Sequence, residues 1–474
     1  MNRILPIRAP RRRQRLLFAA LAAVALSGCA SFSGDGGFGP IAQSAKARLG
    51  KDLTWAKSDA DQDGIDRRVA ELLARPLSVE DAVQVALLNN KGLQAAYFEL
   101  GISEADMVQA GRLPNPGFSF GRLKQGSQIE IDRSIQLNLA RLLTLPIAQQ
   151  MEARRFEQTR GAVTLAMLSL ATQTRKAYFA AVAADETARY ALQVRTAAEA
   201  GAELARRQAQ AGNWSKLEQA REQGFYADAA LSLARAEQVQ VGAREQLTRL
   251  LGLWGLQAQF KLPERLPDLP KAANDLPDVE QTAMAQRLDV QAAKLGSEQL
   301  AKSLGLTKVT RFINVLEVGA VRNSYNDLPV QRGYTISVEL PIFDWGTARV
   351  AKAEAIYMQS LNRAAETAIN ARSEVRQAYK GYRGSFDIAR HFRDEIVPLK
   401  KRISEENQLR YNGMLISVFE LLADARSQIT SVNGYIDALR DFWIAQADLD
   451  MALIGKPSMS APTAPGMVSA ATEH

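Results

Sequence analysis

The sequence predicts an α+β fold in which long helices are interrupted by a few short strands. Three observations carry this prediction. A stretch from 147 to 262 contains no proline and is dense in Ala, Leu, Gln, Glu and Arg, which favour helix. Two regions alternate apolar and polar residues with a period of two, which is typical of half-buried strands. The layout of the first half is also written a second time, which indicates an internal duplication.

The helical stretch predicts an antiparallel hairpin of two long helices. Small residues recur in it every seven positions, with a second set offset by four, as in a coiled-coil seam that lets helix axes approach closely. The first helix carries this seam at Leu170, Ala177, Ala181, Ala184, Ala188, Ala191, Ala198, Ala202, Ala205 and Ala209. Gly212 and Asn213 give a C-cap and turn signal. The second helix is predicted to continue the seam at Ala220, Ala227, Ala234 and Val241.

The first strand hairpin is predicted at about 117–140. Its apolar face carries Ile129, Ile131, Ile135, Leu137 and Leu139, and only Arg133 interrupts it. Its polar face carries Gln128, Glu130, Asp132, Ser134, Gln136 and Asn138. Phe118 and Phe120 begin the partner strand.

The second strand hairpin is predicted at about 311–341. Tyr334, Ile336, Val338 and Leu340 alternate there with Thr335, Ser337 and Glu339. Two soluble hairpins are one interpretation, but an apolar face opposite a polar face is also what a membrane barrel with a polar lumen requires. Four strands cannot close a barrel, since the smallest have eight, so three chains would have to pool twelve.

The domain boundaries follow from the duplication. Residues 79–82 and 93–96 recur at 279–283 and 290–293, and Leu145-Pro146 recurs as Leu340-Pro341. The predicted order is a signal peptide at 1–28, a lipid-anchored linker at 29–75, a first repeat at 76–252, a Pro-rich linker at 253–276, a second repeat at 277–455 and a disordered tail at 456–474.

The leader has a basic start and an apolar run from Leu16 to Leu26, followed by Leu26-Ser27-Gly28-Cys29. This motif resembles a bacterial lipobox, which implies cleavage before Cys29 and lipidation of its thiol. A plain signal peptide with a chance cysteine is the alternative. Ala30 and Ser31, rather than an aspartate, follow the cysteine, a sorting pattern that points to the outer membrane.

Two weak motifs lie in the segment that follows. Gly34, Gly36 and Gly39 match dinucleotide-loop spacing, but no strand precedes them, and we expect a flexible spacer instead. Asp59, Asp61 and Asp63 match the start of a calcium loop whose twelfth position should be Glu but is Ala, so we expect an acidic turn.

Composition argues against two classes of function. The net charge of +8 comes mostly from six arginines in a leader without acidic residues, and the remaining 53 basic and 51 acidic residues do not predict nucleic-acid binding. The only histidines are His391 and His474, and Cys29 is the only thiol, so no catalytic residues, cofactor or metal site are predicted.

Several motifs together resemble the TolC family of outer-membrane efflux and secretion ducts. They are Leu113-Pro114-Asn115-Pro116, the run from Leu340 to Gly346, Arg410-Tyr411-Asn412-Gly413 and Leu453-Ile454-Gly455. The resemblance covers about 76–455. It implies a homotrimer in which long helical hairpins form an α-barrel across the periplasm and twelve strands form an outer-membrane β-barrel, with the polar strand faces lining the lumen. It also implies contact with outer-membrane lipid, a periplasmic adaptor protein and an inner-membrane pump of the resistance-nodulation-division type.

The resemblance further implies site residues. The two hairpin turns, at Gly212 with Asn213 and at Gly413 with Met414, would contact the adaptor. Glu420 and Asp424 would form the periplasmic gate, with Tyr411 restraining its closed state. The spacing after Gly413 departs from the family pattern, which leaves the gate residues open to a shift. Drugs, metal ions and peptides all remain open as cargo, and the alternatives to an efflux duct are a type I protein secretion duct and a periplasmic coiled-coil scaffold.

Overall fold

A computed structural model describes residues 31–310, 316–338, 342–416 and 418–457. The signal peptide, Cys29 and the tail from 458 onward lie outside the described residues. The chain divides into two compact units. A strand-containing unit comprises the described residues of 1–41, 97–163 and 292–364, and a helical unit comprises those of 42–96, 164–291 and 365–474.

The regular elements are mostly helical. In chain order they are α1 (Gly39–Leu49), α2 (Asp59–Leu73), α3 (Val79–Asn89), α4 (Lys91–Ala110), β1 (Gly117–Gln125), β2 (Gln128–Asn138), α5 (Leu139–Gln210), α6 (Lys216–Leu251), a 3₁₀ turn (Gly255–Ala258), α7 (Val279–Gln286), α8 (Leu288–Thr310), β3 (Leu316–Tyr325), β4 (Gln331–Val338), α9 (Thr347–His391), a π turn (Phe392–Ile396), α10 (Val397–Asn412) and α11 (Val418–Ile454). The order from α3 to α6 is matched by the order from α7 to α11, as a duplication predicts. The duplication itself stays a prediction.

The strands form one antiparallel sheet in the order β1-β2-β3-β4. Gly126, at φ +61°, begins the two-residue turn between β1 and β2, a position that suits glycine. The two predicted strand hairpins are confirmed. The pairing of β2 with β3, in which Ile135 lies opposite Ala320, joins the two halves of the chain and is not contained in either hairpin.

The start of α5 differs from the prediction. Leu139 was assigned to the strand, but it is the first helical residue, and Pro146 lies inside the helix. The side chain of Asn138 explains the boundary, because its amide oxygen accepts a hydrogen bond from the backbone N of Arg141 at 2.8 Å. This is an N-cap, which satisfies one of the unpaired donors of the first turn.

The helical unit has one extensive apolar core. α3, α5, α6, α9 and α11 contribute to it, and Leu77, Val182, Leu247, Val375 and Phe442 are among its fully buried members. Aromatic rings add directional contacts, since Phe442 lies with its ring centroid 5.6 Å from that of Tyr382 and 5.1 Å from that of Trp443. The Pro-rich linker also packs here, through Phe260, Leu266 and Leu269.

The small-residue seam is correct in one helix and wrong in the other. In α5, the buried seam positions are Ala177, Ala181, Ala184, Ala188, Ala198, Ala202 and Ala205. In α6, the predicted positions Ala220, Ala227, Ala234 and Val241 are exposed. The buried residues of α6 are instead Glu222, Ala229, Leu233, Leu247, Thr248 and Leu251, none of which is a predicted seam position. A seven-residue spacing of small residues alone does not determine which side of α6 packs against the rest of the chain.

The segment preceding the first repeat is folded, which corrects the expected flexible spacer. Helix α2 buries Ile65, Val69 and Leu72 in the core of the helical unit, and this apolar contact holds the segment in place. Ser58 and Asp61 form a reciprocal capping box at its start. Hydrogen bonds from the Ser58 hydroxyl and the Lys57 backbone hold the pKa of Asp61 below its ordinary value. The acidic motif is therefore the start of a helix rather than a calcium loop.

Candidate functional site: the two faces of the sheet and the hairpin turns

The four-stranded sheet has one polar face and one apolar face. The polar face carries the predicted lumen residues Gln128, Glu130, Asp132, Ser134, Gln136, Asn138, Thr335 and Ser337. Glu339, which was predicted with them, lies outside the described residues. Successive side chains of each strand point to opposite faces because the strand is pleated. The pairing register then places the polar positions of the four strands on the same face of the sheet.

Hydrogen bonds connect neighbouring strands across the polar face. The Tyr325 hydroxyl donates to a Glu130 carboxylate oxygen at 2.7 Å, and the Ser119 and Ser134 hydroxyl oxygens lie 2.6 Å apart. Gly319 makes room at the centre, because a Cβ there would lie 2.7 Å from the hydroxyl oxygen of Thr335. The polar face is thus a bonded surface rather than a set of isolated side chains.

The apolar face is exposed in the single chain. Its large side chains Phe118, Phe120, Ile135, Tyr334, Ile336 and Val338 are each more than half exposed. At the end of the sheet where α5 and α9 begin, Phe343 and Trp345 are also exposed, at 99% and 59%. A contiguous apolar surface of this kind marks a site that is covered by lipid or by another protein.

Charges are segregated between the two faces. In the described strands, the acidic residues Glu130, Asp132 and Glu317 all lie on the polar face, and all the cationic residues lie on the apolar face. The cations are Arg122, Lys124, Arg133, Arg322 and Arg332. Sequence reasoning identified Arg133 as the one interruption of the apolar face, but missed the others.

The two hairpin turns have different backbone geometry. Gly212 has φ +79°, which confirms the glycine turn signal between α5 and α6. Gly413 was predicted to play the same part between α10 and α11, but its φ is −81°, and Met414 takes the left-handed conformation at φ +58°. The left-handed position has moved by one residue, in agreement with the altered spacing near Tyr411. Met414 and Leu415 are exposed at this turn.

The predicted gate residues lie on one hairpin. Tyr411 is in the last turn of α10, and Glu420 and Asp424 are four residues apart in the first two turns of α11. Glu420 is exposed, whereas Asp424 accepts a hydrogen bond from the amide of Asn407 on α10. The Asp424 side chain is therefore directed toward α10, the other helix of its hairpin.

An ion pair between a buried glutamate and a partly exposed arginine, close in sequence to Asp424, was missed by sequence reasoning. Arg426 on α11 donates to Glu222 on α6 at 3.1 Å, and its guanidinium lies 4.1 Å from the centroid of the Phe225 ring. The Glu222 side chain is only 3% exposed. No local sequence pattern identifies this pair, because the two residues lie 204 positions apart in the chain.

Three further features of the described residues concern membrane-spanning helices, metal-binding clusters and the histidine of α9. No described helix combines the length and the hydropathy that a bilayer-spanning helix requires. Within the same residues, no cluster of three or more His, Cys, Asp or Glu side chains is arranged to hold a metal ion. His391, at the end of α9, has its Nδ1 3.2 Å from a carboxylate oxygen of Glu395.

Comparison with solved structures identifies the fold. The CmeC outer-membrane channel of Campylobacter jejuni aligns with a TM-score of 0.64 at 18% sequence identity, covering 86% of this chain and 91% of CmeC. The open state of the MtrE outer-membrane channel of Neisseria gonorrhoeae aligns with a TM-score of 0.60 at 20% identity, covering 80% of this chain and 89% of MtrE. This chain has the fold of the TolC-family channels. The fold that the sequence motifs predicted is confirmed.

A sequence relative agrees with this fold. The chain is 26% identical over 291 residues to the cobalt-zinc-cadmium resistance protein CzcC of Cupriavidus metallidurans. The match covers 57% of this chain and 64% of CzcC, so it spans less than two thirds of that relative's length. No protein-family model matches the chain.

Proposed function

We propose that three copies of this TolC-family chain assemble into an outer-membrane efflux duct. The observation that carries the proposal is the sheet, with an exposed apolar face, a hydrogen-bonded polar face and outer strands β1 and β4. Three such sheets joined edge to edge would give a twelve-stranded barrel with a polar lumen, and joining would remove the unpaired sheet edges. The long helices would continue this path through the periplasm.

The exposed stripe on α6 supports assembly. Ala220, Ala227, Ala234 and Val241 repeat every seven residues and do not pack inside the chain. A helix that contributes to a closed α-barrel must pack on both sides, once within its own chain and once against the next. The stripe suits the second contact because small residues permit close approach of helices.

We propose that the cargo consists of divalent metal cations. The relative CzcC carries cobalt, zinc and cadmium resistance in its name. The described part of the polar strand face bears Glu130, Asp132 and Glu317 and no cationic residue, so three copies would give a lumen that attracts cations. The duct itself would be passive, and an inner-membrane pump with a periplasmic adaptor docked at the turns near Gly212 and Met414 would supply the energy.

Reconstitution tests the duct. The protein purified in detergent should have the mass of a trimer, and it should give discrete single-channel conductance steps in a planar lipid bilayer. A monomeric rod without conductance would instead support a periplasmic scaffold. Deletion of the gene from its host should lower the tolerated concentration of cobalt, zinc or cadmium. If the deletion leaves metal tolerance unchanged and instead stops secretion of a protein, type I secretion is favoured.

Lipidation at Cys29 is a separate part of the proposal. It rests on the lipobox-like motif before that residue and on the absence of any other cysteine in the sequence. Mass spectrometry of the mature N-terminal peptide should show a diacylglyceryl group on Cys29. Cleavage at another position, or an unmodified thiol, would contradict lipid anchoring without affecting the duct.

A further inference from the structure

The cations on the apolar face of the sheet form a band at one end. The register places Arg133 opposite Arg322, and Arg322 opposite Arg332, so that three neighbouring strands present an arginine at the same level. Arg122 and Lys124 lie further along β1 toward the turn at Gly126. We call these five residues the cationic band.

The cationic band borders the apolar rows. Counted toward the helices, the next level of the face holds Phe118, Ile135, Ala320 and Tyr334, and the level after it holds Leu137, Val318 and Ile336. Successive levels are about 6.8 Å apart along a strand. From the helical end, the face therefore carries exposed aromatic residues, then the apolar rows, and then levels at which the five cations alternate with Phe120, Ile131 and Ile129.

Placing the three arginines side by side costs stability unless an anion lies between them. Directly opposed side chains on neighbouring strands have Cβ atoms about 5 Å apart, and like charges there repel. In the described part of the chain, none of the five cations makes an ion pair, and the only acidic side chains of the strands point to the other face. Arg133 has a single cation–π contact, 5.9 Å from the centroid of Phe120.

The level of the band identifies its surroundings. The helices leave the sheet from the end opposite the strand turns, so in the proposed duct the turns at 125–128 and 325–331 point away from the periplasm. The cationic band then lies at the outer boundary of the apolar rows, where a lipid headgroup begins. Charged side chains on the lipid face are tolerated near this boundary and not at the bilayer centre.

We propose that the cationic band binds the phosphate groups of lipids in the outer leaflet. This inference rests on the proposed trimeric barrel, in which the band would recur three times around the circumference. Arginine suits the task because its planar guanidinium donates two parallel hydrogen bonds to a phosphate. Clusters of cations beside an apolar surface bind anionic lipid headgroups by the same combination of charge and hydrocarbon contact.

Lipid binding to purified trimers tests the proposal. Trimers of the full chain are titrated with lipid A, which carries two phosphates on an acylated disaccharide, and with the same lipid after removal of both phosphates. Bound lipid is counted by native mass spectrometry. We expect at least tenfold tighter binding of the phosphorylated lipid, and a loss of about tenfold in the variant that combines Arg133→Gln, Arg322→Gln and Arg332→Gln.

The controls separate the possible outcomes. A variant with Lys352→Gln, Arg372→Gln and Lys380→Gln removes three exposed cations outside the sheet and should bind as the unchanged protein does. Conductance should persist in both variants, which shows an intact barrel. Equal binding of the two lipids by conducting trimers would overturn the cationic band proposal and leave the duct proposal standing. Displacement of lipid A by millimolar inorganic phosphate would also overturn it, in favour of a site for free anions.

Discussion

At the scale of single residues, Arg287 is the most deeply buried charge in the described chain. Its side chain is 1% exposed and pairs with Asp289 at 2.6 Å and Glu374 at 2.8 Å. It also donates to the carbonyl of Ala452 at 3.3 Å. One side chain thus connects α7, α8, α9 and α11, and it neutralises the charge of two carboxylates.

Replacement of this residue should be strongly destabilising. Arg287→Met would leave two carboxylates without a cation, and breaking a buried pair in this way costs about 3–5 kcal/mol. Arg376→Gln is the matched control, because Arg376 is 56% exposed and its pair with Glu280 contributes less than about 1 kcal/mol. Urea unfolding followed by circular dichroism measures both. Similar urea midpoints for the two variants would show that Arg287 does not contribute more to stability than an exposed arginine does.

The two hairpin glycines provide a second residue-scale prediction. Gly212→Ala should destabilise its turn by about 1 kcal/mol, since an L side chain is strained at φ +79°. Gly413→Ala should be close to neutral, because its φ is −81° and an added Cβ would have no heavy atom closer than 3.5 Å. Hydrogen exchange of the amides flanking each turn reports the local change. Faster exchange at Gly413→Ala than at Gly212→Ala would refute the assigned geometry.

At the scale of elements, the sheet is the feature with the clearest functional consequence. Ile135 and Ile336 lie on the apolar face, and their neighbours Gln136 and Ser337 lie on the polar face. A register slip of one residue would exchange these faces completely. The proposed duct therefore depends on the pairing register as well as on the presence of strands.

Cysteine labelling tests which face meets water. Single cysteines at Gln136 and Ser337 should react with a charged thiol reagent added to reconstituted trimers, whereas those at Ile135 and Ile336 should be shielded by lipid. A matched reaction in denaturant shows that all four thiols are competent. The apolar pair reacting as fast as the polar pair under native conditions would exclude a barrel with this orientation.

At the scale of the whole molecule, threefold symmetry would multiply the effect of each gate charge. If Glu420 and Asp424 converge on the axis of a trimer, six carboxylates would surround a narrow mouth and favour cations. Asp424 accepts a hydrogen bond from the amide of Asn407 in its own hairpin, so this contact would fix the position of one carboxylate of each chain in the ring. In the proposed trimer, the hydrogen bond between Asn407 and Asp424 would therefore occur three times around the mouth.

Neutralising both residues tests the gate. The double variant Glu420→Gln with Asp424→Asn should conduct with a reduced preference for cations at low salt, because the charges are removed with little change in volume. The difference should shrink at 1 M salt, where the screening length is about 3 Å. Reversal potentials across a salt gradient measure the preference. Unchanged selectivity at low salt in conducting trimers would place these residues away from the mouth.

Local sequence patterns determined much of the fold. The period of two predicted which strand residues share a face, and the C-cap signal at Gly212 predicted the turn between α5 and α6, because these features depend on neighbours a few positions away. The seam of α5 was likewise readable, since Ala177, Ala184 and Ala205 are buried as the seven-residue spacing predicts. Family motifs then led to the TolC resemblance and to the proposed sites.

Only the tertiary structure decided the features that join distant parts of the chain. The tertiary structure determines which face of α6 is buried and shows that α2 packs on the core. It also shows the ion pair between Glu222 and Arg426, and it places the left-handed turn residue at Met414 rather than at Gly413. It also aligned the arginines of β2, β3 and β4, through a strand pairing between residues nearly 200 positions apart. The physical reason is common to all: periodicity defines a face, whereas packing and hydrogen bonding between distant segments determine what that face meets.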